Sequence, residues 1–240
     1  MREKAGIALL TAASFWLLPA QAGVVIGGTR FVYPHDQRAI SATVRNKSSP
    51  PYLLGTKIYR GGRWPGAQQP PETATAWFTA TPPLFALQPG RENKIRLFRA
   101  DAPLPADRET LFTLSIASIP ASQRHSDNVQ MAVRSSMKLI YRPEGIQGEP
   151  ALAYRQLRWQ LTADGLTVEN PSPYYVTLYQ LSVNGTRVDN AGVVAPLSQR
   201  RTDWCKGTAR CQLTWQSLSD EGRILPSIAP TGKQLPARVP

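Results

Sequence analysis

The sequence predicts an all-β protein built from two immunoglobulin-like β-sandwich domains, and three observations predict that class. Apolar and polar residues alternate with a period of two along most of the chain, whereas helical periodicity is almost absent. The 22 prolines and 17 glycines are scattered and separate many short runs. A stretch with two prolines and two glycines at residues 142–150 divides the alternating pattern into two parts. The length of 240 residues fits two domains of roughly 100 residues each.

The N-terminal segment, residues 1–22, has the composition of a secretory signal peptide. Arg2 and Lys4 form a basic start, residues 5–18 are apolar, and Ala-Gln-Ala follows at residues 20–22. The alternative is a buried first helix, which is less favoured because neither a cap nor a polar face accompanies the apolar run. We expect the mature chain to start at Gly23 and to leave the cytoplasm.

The first domain is predicted to span residues 23–143. About seven short strands in roughly 120 residues are typical of an immunoglobulin-type sandwich. The clearest runs of alternating residues are 24–26, 38–45, 51–59, 93–99, 111–119 and 129–141.

A linker is predicted at residues 144–150, followed by a second β-domain at residues 151–240. Its strands are expected at residues 155–161, 166–168, 174–183 and 211–218. Asn184-Gly185 between two apolar runs predicts a two-residue hairpin turn. The last stretch, residues 224–240, contains four prolines and predicts a loose tail.

The run at residues 129–141 is too long for one small sandwich. Thirteen residues in extended conformation span about 43 Å, against about 17–20 Å for a usual strand. Its odd-numbered residues are almost all apolar. Either the whole odd face is buried in the domain's own core, or Val129, Met131 and Val133 overhang it. An overhanging apolar edge invites pairing with a partner strand.

Two cysteines, Cys205 and Cys211, flank a turn-forming stretch and predict a local disulfide in an oxidising compartment. Free thiols are the alternative. A four-ligand zinc site is not expected, because no histidine is near these two thiols.

The formal net charge of +12 raises nucleic acid as a partner. The basic residues are dispersed, with no run of four or more, and form no cluster interleaved with aromatic residues, so nucleic-acid binding is not expected. No apolar run is long enough for a membrane-spanning helix, so membrane insertion is not expected either.

An enzyme is also disfavoured by the sequence. The two histidines, His35 and His125, stand beside turn residues, and no nucleophile-elbow, zinc-protease or phosphate-loop motif occurs. We therefore expect no catalytic residue, cofactor or metal.

A series of short motifs makes the sequence recognisable, among them Leu-Ile-Tyr-Arg-Pro at residues 139–143. In order along the chain they lie at residues 27–33, 51–54, 81–85, 88–90, 104–112, 117–120, 137–143, 170–176 and 194–196. Together they resemble the periplasmic chaperones of the chaperone–usher pathway of pilus assembly. The resemblance implies two sandwich domains set at an angle with a cleft between them.

The resemblance also implies roles for individual residues. Arg30 and Lys138 match the two cations that anchor the C-terminal carboxylate of a pilus subunit in the cleft. Val129, Met131 and Val133 match the donor residues that fill the groove left by the missing strand of the subunit. Lys138 has the opposite parity to these donor residues, so periodicity alone does not explain how it reaches the cleft.

Three further residues, Glu109, Arg142 and Asp220, match ion pairs that orient the two domains. The implied function is to bind, fold and protect pilus subunits by donor-strand complementation and to deliver them to an outer-membrane usher. The alternative is an exported immunoglobulin-like adhesin or structural subunit without chaperone activity. Whether the free protein self-associates weakly through the donor-strand edge stays open.

Overall fold

The computed structural model describes residues 23–68, 74–101, 103–121, 131–230 and 235–236. Within these ranges the chain forms β-strands and a single short 3₁₀ helix, so the predicted all-β class is confirmed. None of the helical structure in these ranges is long and apolar enough to cross a membrane. The proposed signal peptide, residues 1–22, lies outside the described residues.

The first half of the chain forms two sheets that face each other. The four-stranded sheet has the order β1-β3-β7-β5, and the five-stranded sheet has the order β2-β9-β8-β4-β6. The strands are β1 (Val24–Ile26), β2 (Arg30–Pro34), β3 (Ile40–Asn46), β4 (Tyr52–Arg60), β5 (Phe78–Thr81), β6 (Leu84–Leu87), β7 (Glu92–Arg99), β8 (Thr110–Pro120) and β9 (Val133–Arg142).

The core of this sandwich follows from the alternation of side chains. Along β3, Ala42 and Val44 are buried, and on the neighbouring strand β7 so are Ile95 and Leu97. The β8 side of the core contributes Phe112, whose ring meets Phe78 edge-on with centroids 4.8 Å apart. The apolar residues that the sequence places at every second position therefore close one continuous core.

The long predicted strand at residues 129–141 is shorter in the structure than expected. Strand β9 begins at Val133, Met131 precedes it outside regular structure, and Val129 lies outside the described residues. The neighbouring strand explains this start, since the last residue pair between β8 and β9 joins Ser118 to Val133. Beyond that point β8 pairs only with β4.

The second half forms smaller sheets with the orders β10-β11-β16, β12-β15, β14-β13-β18 and β17-β19. The elements are the 3₁₀ helix Pro150–Arg155 and the strands β10 (Arg158–Thr162), β11 (Gly165–Asn170), β12 (Val176–Thr177), β13 (Tyr179–Val183), β14 (Thr186–Arg187), β15 (Val193–Val194), β16 (Ser198–Thr202), β17 (Arg210–Cys211), β18 (Leu213–Gln216) and β19 (Leu235–Pro236).

The start of the second half differs from the prediction of a strand at residues 155–161. The 3₁₀ helix occupies its first residue, because a proline is well placed at a helix start and Ala153 and Tyr154 become buried there. Strand β16 was not predicted because its sequence, Ser-Gln-Arg-Arg-Thr, is polar on both faces. The Asn184-Gly185 turn is confirmed, with Val183 paired to Thr186 and positive φ at both turn residues.

The C-terminal tail is more ordered than the sequence predicts. Ile228 exchanges backbone hydrogen bonds with Trp215, and residues 235–236 pair with β17. The expectation of a loose tail is wrong for these residues, because unpaired backbone groups of β18 and β17 are satisfied by the tail. Cys211 on β17 forms a disulfide with Cys205, with their Cα atoms 5.9 Å apart.

Candidate functional site

The candidate site lies where β2 and β9 face the second half of the chain. Odd-numbered residues of β9, such as Met137 and Leu139, point into the first core. Side chains alternate along a strand, so Lys138 and Arg142 project from the opposite face. This face meets the second half, where Arg142 pairs with Asp220. The parity of Lys138 thus places it on the same face of β9 as Arg142, away from the core.

Arg30 lies directly beside Lys138, because β2 and β9 are parallel and these two residues are partners in the register. The Arg30 Nη1 atom donates a hydrogen bond of 2.9 Å to the carbonyl oxygen of Leu218 in the second half. Its Nε atom is buried and has no partner among the residues that the structure describes. Burial lowers the pKa of the Arg30 guanidinium.

The ammonium group of Lys138 faces an aromatic ring. Its Nζ atom lies 4.4 Å from the centroid of the Trp64 ring, in the geometry of a cation–π contact. Within the described parts of the chain Lys138 makes no ion pair. Burial first, and then the charge of Arg30, lower the pKa of Lys138 to about 8. Lys138 and Trp64 line a cavity of about 350 Å³ between the two halves of the chain.

Trp64 is a site residue that sequence reasoning missed. It stands at residues 61–66, Gly-Gly-Arg-Trp-Pro-Gly, a segment whose glycines and proline indicate a turn. A large aromatic side chain in such a turn is a weak sign of packing against another element. The partner could not be named, because Lys138 is distant in sequence.

Arg142 joins the two halves through two carboxylates. Its Nε atom donates to Glu109 Oε1 at 2.8 Å, and its Nη1 and Nη2 atoms donate to Asp220 at 2.7 and 2.9 Å. Burial alone would lower the pKa of Arg142, but the hydrogen bonds to Asp220 and the charge of Glu109 raise it. The three residues that the resemblance pointed to therefore meet in one network.

Glu109 also binds the backbone of the second half. The backbone nitrogen of Tyr175 donates to Glu109 Oε2 at 2.7 Å, and the backbone nitrogen of Glu109 donates to the carbonyl oxygen of Pro173 at 2.9 Å. Glu109 is only 2% exposed. Because both carboxylate oxygens are used, this buried charge is satisfied by partners from both halves.

The start of β9 is open on one side. From Val133 to Met137 the strand pairs with β8, whereas β2 pairs with β9 only from Lys138 onward. No other strand among the described residues covers that second edge. Met131 and Val133 are 77% and 53% exposed. An unpaired strand edge with exposed apolar side chains can accept a further strand.

Groups of acidic, histidine or cysteine side chains that could hold a metal do not occur in the part of the chain that the structure describes. The site therefore consists of the buried Arg30 beside the half-buried Lys138, an aromatic ring, an ion-pair network and an open strand edge. Such an arrangement can bind a carboxylate and pair with an extended peptide.

This combination of two sandwich halves, a cationic cleft and an open strand defines a class of assembly chaperone, and family comparison agrees. Residues 23–147 match the N-terminal domain of the pili and flagellar-assembly chaperone PapD, and residues 152–229 match the C-terminal domain of the pili assembly chaperone PapD. The chain belongs to this family of pilus assembly chaperones. Membership argues against the alternative of an adhesin or structural subunit.

Individual relatives agree with the family. The chain is 46% identical over 222 residues to the uncharacterized fimbrial chaperone YcbF of Escherichia coli K12, covering 91% of this chain and 93% of the relative. It is 32% identical over 214 residues to the chaperone protein FimC of the same strain, covering 87% and 84%.

Solved structures of chaperones share the fold. The periplasmic chaperone SfaE is 30% identical with a TM-score of 0.72, covering 86% of this chain and 98% of SfaE. The Salmonella enterica structure of the SafA pilin in complex with the SafB chaperone gives a TM-score of 0.74 at 25% identity, covering 86% of this chain and 95% of the matched chain.

Proposed function

We propose that this chaperone captures pilus subunits by anchoring their C-terminal carboxylate between Arg30 and Lys138. The observation that carries the proposal is the adjacency of the buried Arg30 and the half-buried Lys138 in the register of β2 and β9. Two like charges side by side repel each other, and burial adds to the cost of charging them. A carboxylate between them would offset both effects and accept charge-assisted hydrogen bonds, including one from the Arg30 Nε, for which the described residues supply no acceptor.

Donor-strand complementation is the second part of the proposal. The edge of residues 133–137 that β2 leaves uncovered would pair with a subunit strand. Val133, together with Met131 and Val129 in an extended conformation, would present every second side chain to the groove of the subunit. The pilin–chaperone complex of SafA and SafB supports the use of this fold for binding a subunit.

The compartment and the next step in assembly belong to the same proposal. Residues 1–22 would be removed as a signal peptide, leaving domains at residues 23–143 and 151–240 joined by a linker at residues 144–150. The structural relative SfaE is a periplasmic chaperone, which supports the periplasm. Delivery of the bound subunit to an outer-membrane usher would complete the cycle.

Co-purification from the periplasm with pilus subunits encoded beside the chaperone gene tests the anchor. Lys138→Ala and Arg30→Ala should each abolish capture, because one cation alone no longer holds the carboxylate on both sides. Thermal unfolding should show that both variants stay folded. Lys94→Ala, at an exposed lysine on the outer face of β7, is the matched control and should capture as the wild type does.

Two other results would count against the proposal. Capture that survives in both cleft variants would show that the carboxylate is bound elsewhere. A folded wild type that captures none of these subunits would show that it does not serve them as a chaperone.

A further inference from the structure

The loop at residues 61–68 of the first half rests on the second half of the chain. The carbonyl oxygen of Pro65 accepts a hydrogen bond of 2.8 Å from the backbone nitrogen of Val193. Gly192 has φ of +82°, and a Cβ atom at this position would overlap the Pro65 carbonyl oxygen. Close approach of the two backbones therefore requires glycine here.

The surface that receives the loop is itself fixed. Arg200 on β16 donates from Nη1 to the carbonyl oxygens of Ala191 and Val193, at 2.6 and 3.1 Å. A Cβ atom on Gly66 would overlap the carbonyl oxygen of Val193, so the loop lies flat against this segment. Backbone contacts thus hold the loop against a segment of the second half that Arg200 stabilises.

The same loop places the indole of Trp64 against Lys138. A Cβ atom on Gly62 would overlap the Trp64 ring, so this glycine lets the ring lie on the backbone of its own loop. The Trp64 ring also contacts the Lys138 ammonium, whose Nζ atom lies 4.4 Å from the ring centroid. Trp64 is half-buried and forms one wall of the cavity between the two halves.

We propose that Trp64 is a positioning residue for Lys138, and that the loop at residues 61–68 makes this positioning depend on the docked second half. The inference rests on the proposed carboxylate anchor and adds a residue to it. A lysine side chain is flexible, so an anchor of this kind needs something that fixes its ammonium.

Lys138 contacts an aromatic ring rather than a carboxylate, and this affects how its ammonium group can bind a ligand. Glu109 and Asp220 at the domain junction are already engaged by Arg142, and Asp189, which lines the cavity, forms no ion pair with Lys138 among the described residues. An aromatic face attracts the ammonium without neutralising its charge, so Lys138 can still donate to an incoming carboxylate. A carboxylate in place of the ring would compete with the ligand for the same donors.

The test uses the mature protein and a synthetic peptide with the sequence of the C-terminal strand of a pilus subunit encoded beside the chaperone gene. The peptide is prepared as a free acid and as a C-terminal amide. Trp64→Leu keeps an apolar side chain but removes the ring, and it should weaken binding of the acid roughly fivefold. Binding of the amide should change less than about twofold, and Trp64→Phe should restore most of the affinity for the acid.

A double-mutant cycle with Lys138→Met separates positioning from a merely structural role. If Trp64 acts through Lys138, Trp64→Leu should have no further effect once the lysine is replaced. Equal weakening of acid and amide, or full additivity in the cycle, would overturn the inference. A wild type that binds acid and amide equally would instead refute the carboxylate anchor itself.

The loop contact has its own matched pair of variants. Gly192→Ala and Gly185→Ala introduce the same strain, because φ is +82° and +81°, but only the first would overlap the loop. Gly192→Ala should weaken binding of the acid peptide about as much as Trp64→Leu, while Gly185→Ala should leave it unchanged. Unaltered acid binding by a folded Gly192→Ala protein would refute the dependence on the second half.

Discussion

Arg30 and Lys138 lie side by side in a cleft where burial disfavours the charged form of each. Among the described residues Lys138 forms no ion pair, whereas Arg30 is near Asp220 and Glu109, which are shared with Arg142. A cation without its own carboxylate can bind an anionic group of a partner. The Nε of Arg30, which has no acceptor in the described parts of the chain, fits the same view, because a buried donor usually has an acceptor. At the scale of single residues, the cleft of the free protein therefore presents two adjacent cations to an anionic group of a binding partner.

The lowered pKa of Lys138 predicts how capture depends on pH. A bound carboxylate favours the protonated lysine, and in the free protein that proton is lost as the pH rises through about 8. Affinity for the free-acid peptide should therefore fall roughly tenfold between pH 7 and pH 9. Arg187 and Asp189 line the same cavity, and Arg30 is the register partner of Lys138, so the comparison needs a variant that changes Lys138 alone.

Isothermal titration of the two peptide forms across this range provides the measurement. The amide peptide and the Lys138→Met variant serve as controls and should show little dependence on pH. An acid peptide that binds equally well at pH 7 and pH 9 would contradict the role of the Lys138 proton.

The residues of the cleft differ in how far the sequence could predict them. Arg30 and Lys138 could be named because each stands in a short recognisable motif. Trp64 could not, because its contact with Lys138 forms only when the loop, β9 and the second half come together. Contacts that depend on three separate segments leave no periodic signal in the chain.

At the scale of elements, the ten residues of β9 have three structural roles. Met137, Leu139 and Tyr141 enter the core, Lys138 and Arg142 face the second half, and its first residues have an open edge. The sequence predicted the alternation correctly but placed the start of the strand too early. Strand β9 starts where its pairing with β8 starts. That boundary depends on both strands, so the sequence of β9 alone does not determine it.

Substitutions at the start of β9 should separate subunit protection from the stability of the chaperone. Val133→Asp should lower the amount of co-purified subunit at least tenfold, because the carboxylate would be buried in the apolar groove of the subunit. The free energy of unfolding of the free chaperone should change by no more than about 0.5 kcal/mol, since this side chain is exposed.

Ala132→Asp is the control for this experiment. Residue 132 is also exposed but has the opposite parity, so its side chain would point away from the groove. Equal losses with both substitutions would show that added charge, rather than the donor face, causes the defect.

At the scale of the whole molecule, several independent contacts fix the two halves relative to each other. Arg142 bridges Glu109 and Asp220, Arg30 binds the Leu218 carbonyl, and the loop at residues 61–68 rests on Val193. The sequence supplied the ion-pair residues only through a family resemblance. It did not supply the loop contact, because backbone hydrogen bonds between distant segments carry no sequence signature.

Removing the buried carboxylate of this junction should destabilise the protein strongly. Glu109→Ala leaves Arg142 with one partner and the Tyr175 backbone nitrogen unsatisfied, so the free energy of unfolding should fall by about 3 kcal/mol. Chemical denaturation followed by tryptophan fluorescence provides the measurement, since Trp215 and Trp159 lie in the second core.

The surface pair between Arg45 and Glu92 supplies the matched control. Its side chains are largely exposed, and Glu92→Ala should change the free energy of unfolding by less than about 1 kcal/mol. Similar losses in Glu92→Ala and Glu109→Ala would show that the junction contributes no more than an ordinary surface pair.

The two faces of β9 also constrain how this protein can diverge over evolutionary time. Insertion or deletion of a single residue within Val133–Arg142 would exchange the two faces beyond that point, sending core residues toward the cleft and cations into the core. Around this strand, we therefore expect insertions and deletions among descendants to lie before residue 131 and not within β9. New subunit preferences would then arise by substitution at the exposed start of the strand, with the spacing of the anchor held constant.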